Sequence, residues 1–171
     1  VATGMRAQTL IAHGEVTGGI DLLRSALPRL HADRYELYMS AFAADLSSGL
    51  VSLGRLAEGA QVLHETIDRV EQEGGAFDMP ELLRLRGELE AQSGNLDAAE
   101  ASLVASAELA EQQGALSCQL RTGMSLARLR ARQGAPDPRS QLARSYARFT
   151  EGSATAGRHD ARPLLNLPPV G

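Results

Sequence analysis

The segment GELEAQSGNLDAAEASL, from Gly87 to Leu103, decides the fold. It is centred on Gly94, with a small residue seven positions before it (Gly87), a small residue five after it (Ala99) and a leucine nine after it (Leu103). The same frame returns at intervals of 40 residues, on Gly14 with Ala7, Gly19 and Leu23, and on Gly54 with Ser47, Gly59 and Leu63. Gly134 keeps the small residue at Ala127 but slips by about one residue beyond the turn, where Leu142 is the expected anchor. A fixed period this long marks one supersecondary unit, repeated because each copy alone cannot bury its apolar face. Apolar residues recur at helical spacing on both sides of each glycine, β-branched residues are few, and no stretch alternates apolar and polar over strand length. Each unit therefore reads as helix, glycine turn, helix. Its small residues allow close helix approach, and its leucine anchors the second helix.

Boundary residues agree with this division. Asp33 with Glu36, and Asp78 with Glu81, have capping-box spacing at the start of a first helix. Gly74-Gly75 closes the helix before, and Pro80 falls in a first turn, where a missing donor is tolerated. Helices are expected near 1–13, 16–30, 34–53, 55–73, 79–93, 96–113, 116–133 and 138–151, with a short ninth over 158–166. The expected architecture is an all-α, helical-hairpin solenoid coiled as a right-handed superhelix. It forms one domain over 1–171, with repeats at about 1–33, 34–78, 79–115 and 116–152 and a tail over 153–171 that carries a capping helix. Pro136 and Pro138 mark the last repeat as atypical. The chain opens on Val1, which suggests part of a longer protein.

All 17 basic residues are arginine, and the net charge of −4 hides a polarity. Residues 1–120 hold 8 arginines against 18 acids, whereas residues 121–171 hold 9 against 3. No run of 18 apolar residues and no basic-then-apolar leader is present, so a soluble, cytoplasmic chain is expected. Cys118 is the single cysteine; it excludes an internal disulfide and reads as a small core residue.

Motifs with chemical potential do not complete themselves. His64-Glu65-Thr66-Ile67-Asp68 approaches the zinc-protease helix, in which two histidines four apart hold the metal, but Asp68 replaces the second histidine and no third ligand is evident. Gly14, Gly18 and Gly19 follow no strand and precede no lysine or serine at the needed place, so they do not form a phosphate loop. Glu88 and Glu90 point to different helix faces and make no acid/base pair. The expectation is a non-enzyme with no metal and no cofactor.

The unit of helix, glycine turn and helix resembles the tetratricopeptide repeat, whose usual length is about 34 residues. The helices here would be longer by about a turn each. A sharper resemblance runs over residues 80–167, carried by Leu83–Leu89 (LRLRGEL), Gln119–Leu129 (QLRTGMSLARL), Phe149–Gly152 (FTEG), Asp160-Ala161 and Leu164-Leu165. These look like the C-terminal repeats of bacterial proteins in which a nucleotide-binding signalling ATPase is fused to an adenylate cyclase or to a winged-helix or LuxR-type transcriptional domain. Arg148 stands where that family often has tryptophan, and Ser153 where it often has an aromatic residue.

The resemblance implies a non-enzymatic regulatory module that binds a protein, a peptide or its own upstream domains. It places Gln8, Ala44, Ser48, Arg84, Glu88, Arg121, Met124 and Arg128 on an inner groove. The arginines beside Met124 would suit an acidic peptide with an apolar anchor. The alternative is that this face is merely wet. The arginine-rich end, with Arg130, Arg132, Arg139, Arg144 and Arg148, could also meet nucleic acid or the acidic half of a second copy, and an uncovered first helix could promote a homodimer.

Overall fold

The computed structural model describes residues 1–32, 38–74, 77–149 and 156–167, and every regular element among them is helical. The helices are α1 (Ala2–Ala12), α2 (Val16–Ala32), α3 (Met39–Ser52), α4 (Leu56–Glu73), α5 (Met79–Gln92), α6 (Leu96–Gln112), α7 (Leu116–Arg132), α8 (Ser140–Ala147) and α9 (Ala156–Leu164). They follow the sequence expectation to within a few residues, save that α3 begins at Met39 and α8 is only 8 residues long. The capping box at Asp33 and Glu36, together with Gly75 and Thr150–Ser153, lies outside the described residues. At α5 the Asp78 carbonyl accepts from the N–H groups of Glu81 and Leu82, as a residue at the cap position does. The Asp78 carboxylate takes the Ser40 hydroxyl, while Glu81 holds Arg84 at 2.7 Å.

The period-setting glycines end first helices. Gly14, Gly54, Gly94 and Gly134 have φ between 73° and 87°, a left-handed region in which a side chain is strained. In each turn the glycine N–H bonds back three residues, and the N–H after it bonds back five (Glu15 to Leu10, Arg55 to Leu50, Asn95 to Glu90, Ala135 to Arg130). This pair of bonds satisfies helix carbonyls that would otherwise lack partners. A second series ends second helices: Gly74, expected to close its helix, and Gly114, which the sequence reading did not single out, take φ of 68° and 66°.

The chain forms two compact units, residues 1–85 and 86–171, and α5 carries the boundary. In the first unit α1 packs on α2, α2 on α3 and α3 on α4, and α1 also meets α3. Ala7, Ile20, Leu23, Leu30, Phe42 and Leu50 are buried together there. Burying each large apolar side chain contributes roughly 1.5–3 kcal/mol. The paired small residues of the frame meet at the hairpin joint. A Cβ on Gly19 would lie 3.0 Å from the Ala7 carbonyl oxygen and 2.4 Å from Ile11 Cγ1. A Cβ on Gly59 would lie 3.1 Å from the Ser47 carbonyl oxygen, and the Ser47 hydroxyl donates to the Gly59 carbonyl at 2.9 Å.

The second unit repeats this joint once and then alters it. A Cβ on Gly87 would stand 3.0 Å from the Ala99 carbonyl oxygen and 2.6 Å from Leu103 Cγ. Between α7 and α8 the close approach moves to Gly123, where a Cβ would stand 3.0 Å from Leu142 Cα. Leu142 is nonetheless fully buried, the anchor expected of it. α9 packs on α7 and α8, with Ala161 sealed against Leu120, Met124, Ala127 and Leu142. Arg148 donates to Gln119 at 2.9 Å and lies 3.6 Å from Glu111, so polar bonds occupy the place where the resembled family often has an aromatic ring.

Candidate functional site

The candidate groove residues divide between the two units. In the first, Gln8 of α1 donates its side-chain amide to Asp45 of α3, which joins two first helices. Burial holds the Asp45 carboxyl above its ordinary range; the Gln8 bond opposes that shift, and the nearby Glu81 adds to it. Ser48 is exposed one turn from the buried Ala44. The Arg84 side chain is only 11% exposed and is clamped by Glu81. Arg84 is thus engaged within its own helix rather than presented whole to a ligand.

In the second unit the candidates Arg121 and Arg128 lie on one stripe of α7. Arg121, Ser125, Arg128 and Arg132 are spaced i, i+4, i+7 and i+11, which puts them on one face of a helix. Arg121, Arg128 and Arg132 are exposed. Ser125 donates to Glu88 of α5 at 2.6 Å, so one acid of the face is already engaged. Neither Arg128 nor Arg132 meets a carboxylate among the described residues. Arg130, on the other side of the helix, is paired with Glu100 at 2.6 Å. Met124 departs from expectation: at 7% exposure it belongs to the core beneath α8 and α9 and offers no apolar anchor on the surface. It stands within one turn of both Arg121 and Arg128, and the cover of α8 and α9 takes it out of solvent.

Sequence reading missed Asp45 and Ser125 as partners of Gln8 and Glu88, because such bonds depend on which helices meet. Arg132 continues the Arg121 and Arg128 stripe, whereas the sequence alone groups it with the basic end. His64 and Asp68 lie 3.4 Å apart on an exposed turn of α4, and no group of three potential metal ligands occurs among the described residues. Cys118 is buried, 3.9 Å from the Thr122 hydroxyl. No described helix is long and apolar enough to cross a membrane. No protein-family model matches the chain, and no curated protein matches it at a significant level.

Proposed function

We propose that the chain is a non-enzymatic interaction module that binds acidic protein segments along the exposed arginine stripe of α7. The four hairpins form a tetratricopeptide-like solenoid, placed, as the sequence resemblance implies, at the C-terminal end of a cytoplasmic bacterial signalling protein of the cyclase or transcriptional-regulator type. The observation that carries this reading is the face bearing Arg121, Arg128 and Arg132, on which Arg128 and Arg132 meet no carboxylate among the described residues. Guanidinium groups grip carboxylates through paired hydrogen bonds, and an exposed pair contributes only about 0–1 kcal/mol, so a segment with several acids is the suitable ligand. A separate partner or an upstream domain of the same protein carries the ligand.

Nucleic acid is the competing polyanion. The described aromatic rings of the second unit, Tyr146 and Phe149, are partly buried against its core, and the Tyr146 hydroxyl is engaged with Arg162 at 3.0 Å, so base stacking has little to use. Fluorescence anisotropy with a glutamate-rich peptide and with a DNA duplex, each over a salt series, separates the two. The expected result is saturable peptide binding that exceeds duplex binding at equal salt. Tighter duplex binding with a steep salt slope would replace this reading with the nucleic-acid one.

A further inference from the structure

On the side of the first unit away from its first-helix bonds, α2 and α4 wall a cleft of about 470 Å³ whose floor is α3. That volume lies in the range of small-molecule sites, about 300–1,000 Å³. Met39, Ala43 and Leu46 make the floor, and Leu27 and Val62 face each other across it. Pro28 of α2 also lines it.

The polar groups around the cleft are mostly engaged. The Thr66 hydroxyl donates to the Val62 carbonyl at 2.7 Å. Arg24 is bound to Glu58 at 2.8 Å, and Glu65 accepts from Gln61 at 3.0 Å. Arg69 and the exposed His31 at the end of α2 are the exceptions, and of the two Arg69 lies beside the floor. Arg69 is half-buried, its Nη1 rests 4.0 Å from Met39 Sδ, and it meets no carboxylate among the described residues. A partly desolvated cation beside an apolar floor is costly until an anion reaches it. The thioether of Met39 adapts to varied apolar shapes.

We propose that this cleft binds a small amphipathic anion, with an apolar body over Met39, Leu46 and Val62 and a single carboxylate or phosphate head on Arg69. The site is independent of the α7 stripe and would make the first unit a small-molecule sensor. The test titrates decanoate, decyl phosphate and uncharged decanol, each below its self-association concentration, into the whole isotope-labelled chain and follows backbone amide resonances. Either anion should saturate and move the amides around Leu27, Ala43 and Val62, and the tighter one identifies the head group. Decanol should bind at least about tenfold more weakly, as expected for loss of a charge-assisted hydrogen bond. Arg69→Gln should lower anion binding to the decanol level, Arg69→Lys should keep most of it, and Arg55→Gln, which lies outside the cleft lining, should leave it unchanged, with circular dichroism confirming that each variant folds. Equal binding of decanol and decanoate, an unaltered affinity in Arg69→Gln, or no saturable shift in the cleft would overturn the proposal.

Discussion

The α3–α4 and α7–α8 hairpins share one frame and close in two ways. In the first, Ser47 and Gly59 meet across the joint, and a hydroxyl-to-carbonyl bond of 2.9 Å fastens the approach. In the second, Arg139 stands where the frame asks for a small residue, and Gly123, one turn before Ala127, takes the contact instead against Leu142. Their outward polar groups differ as well. On α3, Asp45 is spent on Gln8 and Ser40 on Asp78, and the small Ser48 is left exposed. On α7, Arg128 and Arg132 are left facing solvent. The repeat frame thus fixes the joint and the anchor, while the positions that the frame leaves free carry the face proposed for recognition.

The largest effect should come from the anchors. Leu103→Ala and Leu142→Ala should each cost about 2–5 kcal/mol in urea unfolding, because both leucines are fully buried in a packed interior. A loss under about 1 kcal/mol at Leu142 alone would mean that α8 is not held as the other second helices are. Next come adjacent glycines with opposite expectations. Gly19→Val should cost about 1–3 kcal/mol, since its Cβ would meet Ile11 Cγ1 at 2.4 Å and the Ala7 carbonyl at 3.0 Å. Gly18→Ala, whose Cβ would meet nothing nearer than Leu10 Cδ1 at 3.8 Å, should be neutral or gain up to about 1 kcal/mol from helix propensity. Equal losses at both positions would show that the joint does not depend on close approach.

The smallest effect tests the internal bonds of α3. The Asp45 carboxyl is raised above its ordinary value of 3.8 because burial disfavours its charge. The folded state therefore holds this proton more tightly than the unfolded state, and the associated stability is present below the unfolded value and lost as pH rises through the folded one. Asp45→Asn can still accept from Gln8 and should be slightly more stable than the parent at neutral pH, with the gap closing as the pH falls to about 4. A gap that stays constant with pH would show that Asp45 is not desolvated.

Most of the fold could be read from the spacing of Gly14, Gly54, Gly94 and Gly134, because a left-handed helix end and the small pairs around it are strong local constraints. The expected start of the third helix at residue 34 rests on the Asp33 and Glu36 pair, which lies outside the described residues. Pro28 lies within α2, as the expected helix over 16–30 requires, at an exposed position near the C-terminal end. The site was less legible. Arg121 and Arg128 could be placed on one face from spacing alone, but the burial of Met124 depends on α8 and α9 covering that side of α7. The cleft over α3 had no sequence signal at all, since its apolar and charged residues come from three helices and carry no common period.

Two charge reversals of equal size test the division between frame and recognition most directly. Arg128→Glu with Arg132→Glu alters only the α7 stripe, whereas Arg24→Glu with Arg55→Glu alters the ion pairs around Glu58 in the first unit. The readout is the anisotropy of one labelled glutamate-rich peptide at moderate salt. The account predicts that the α7 pair loses at least about tenfold in affinity while the other pair stays within about threefold of the parent, although both change the net charge equally. Equal losses in the two variants, or no loss in the α7 pair, would contradict it.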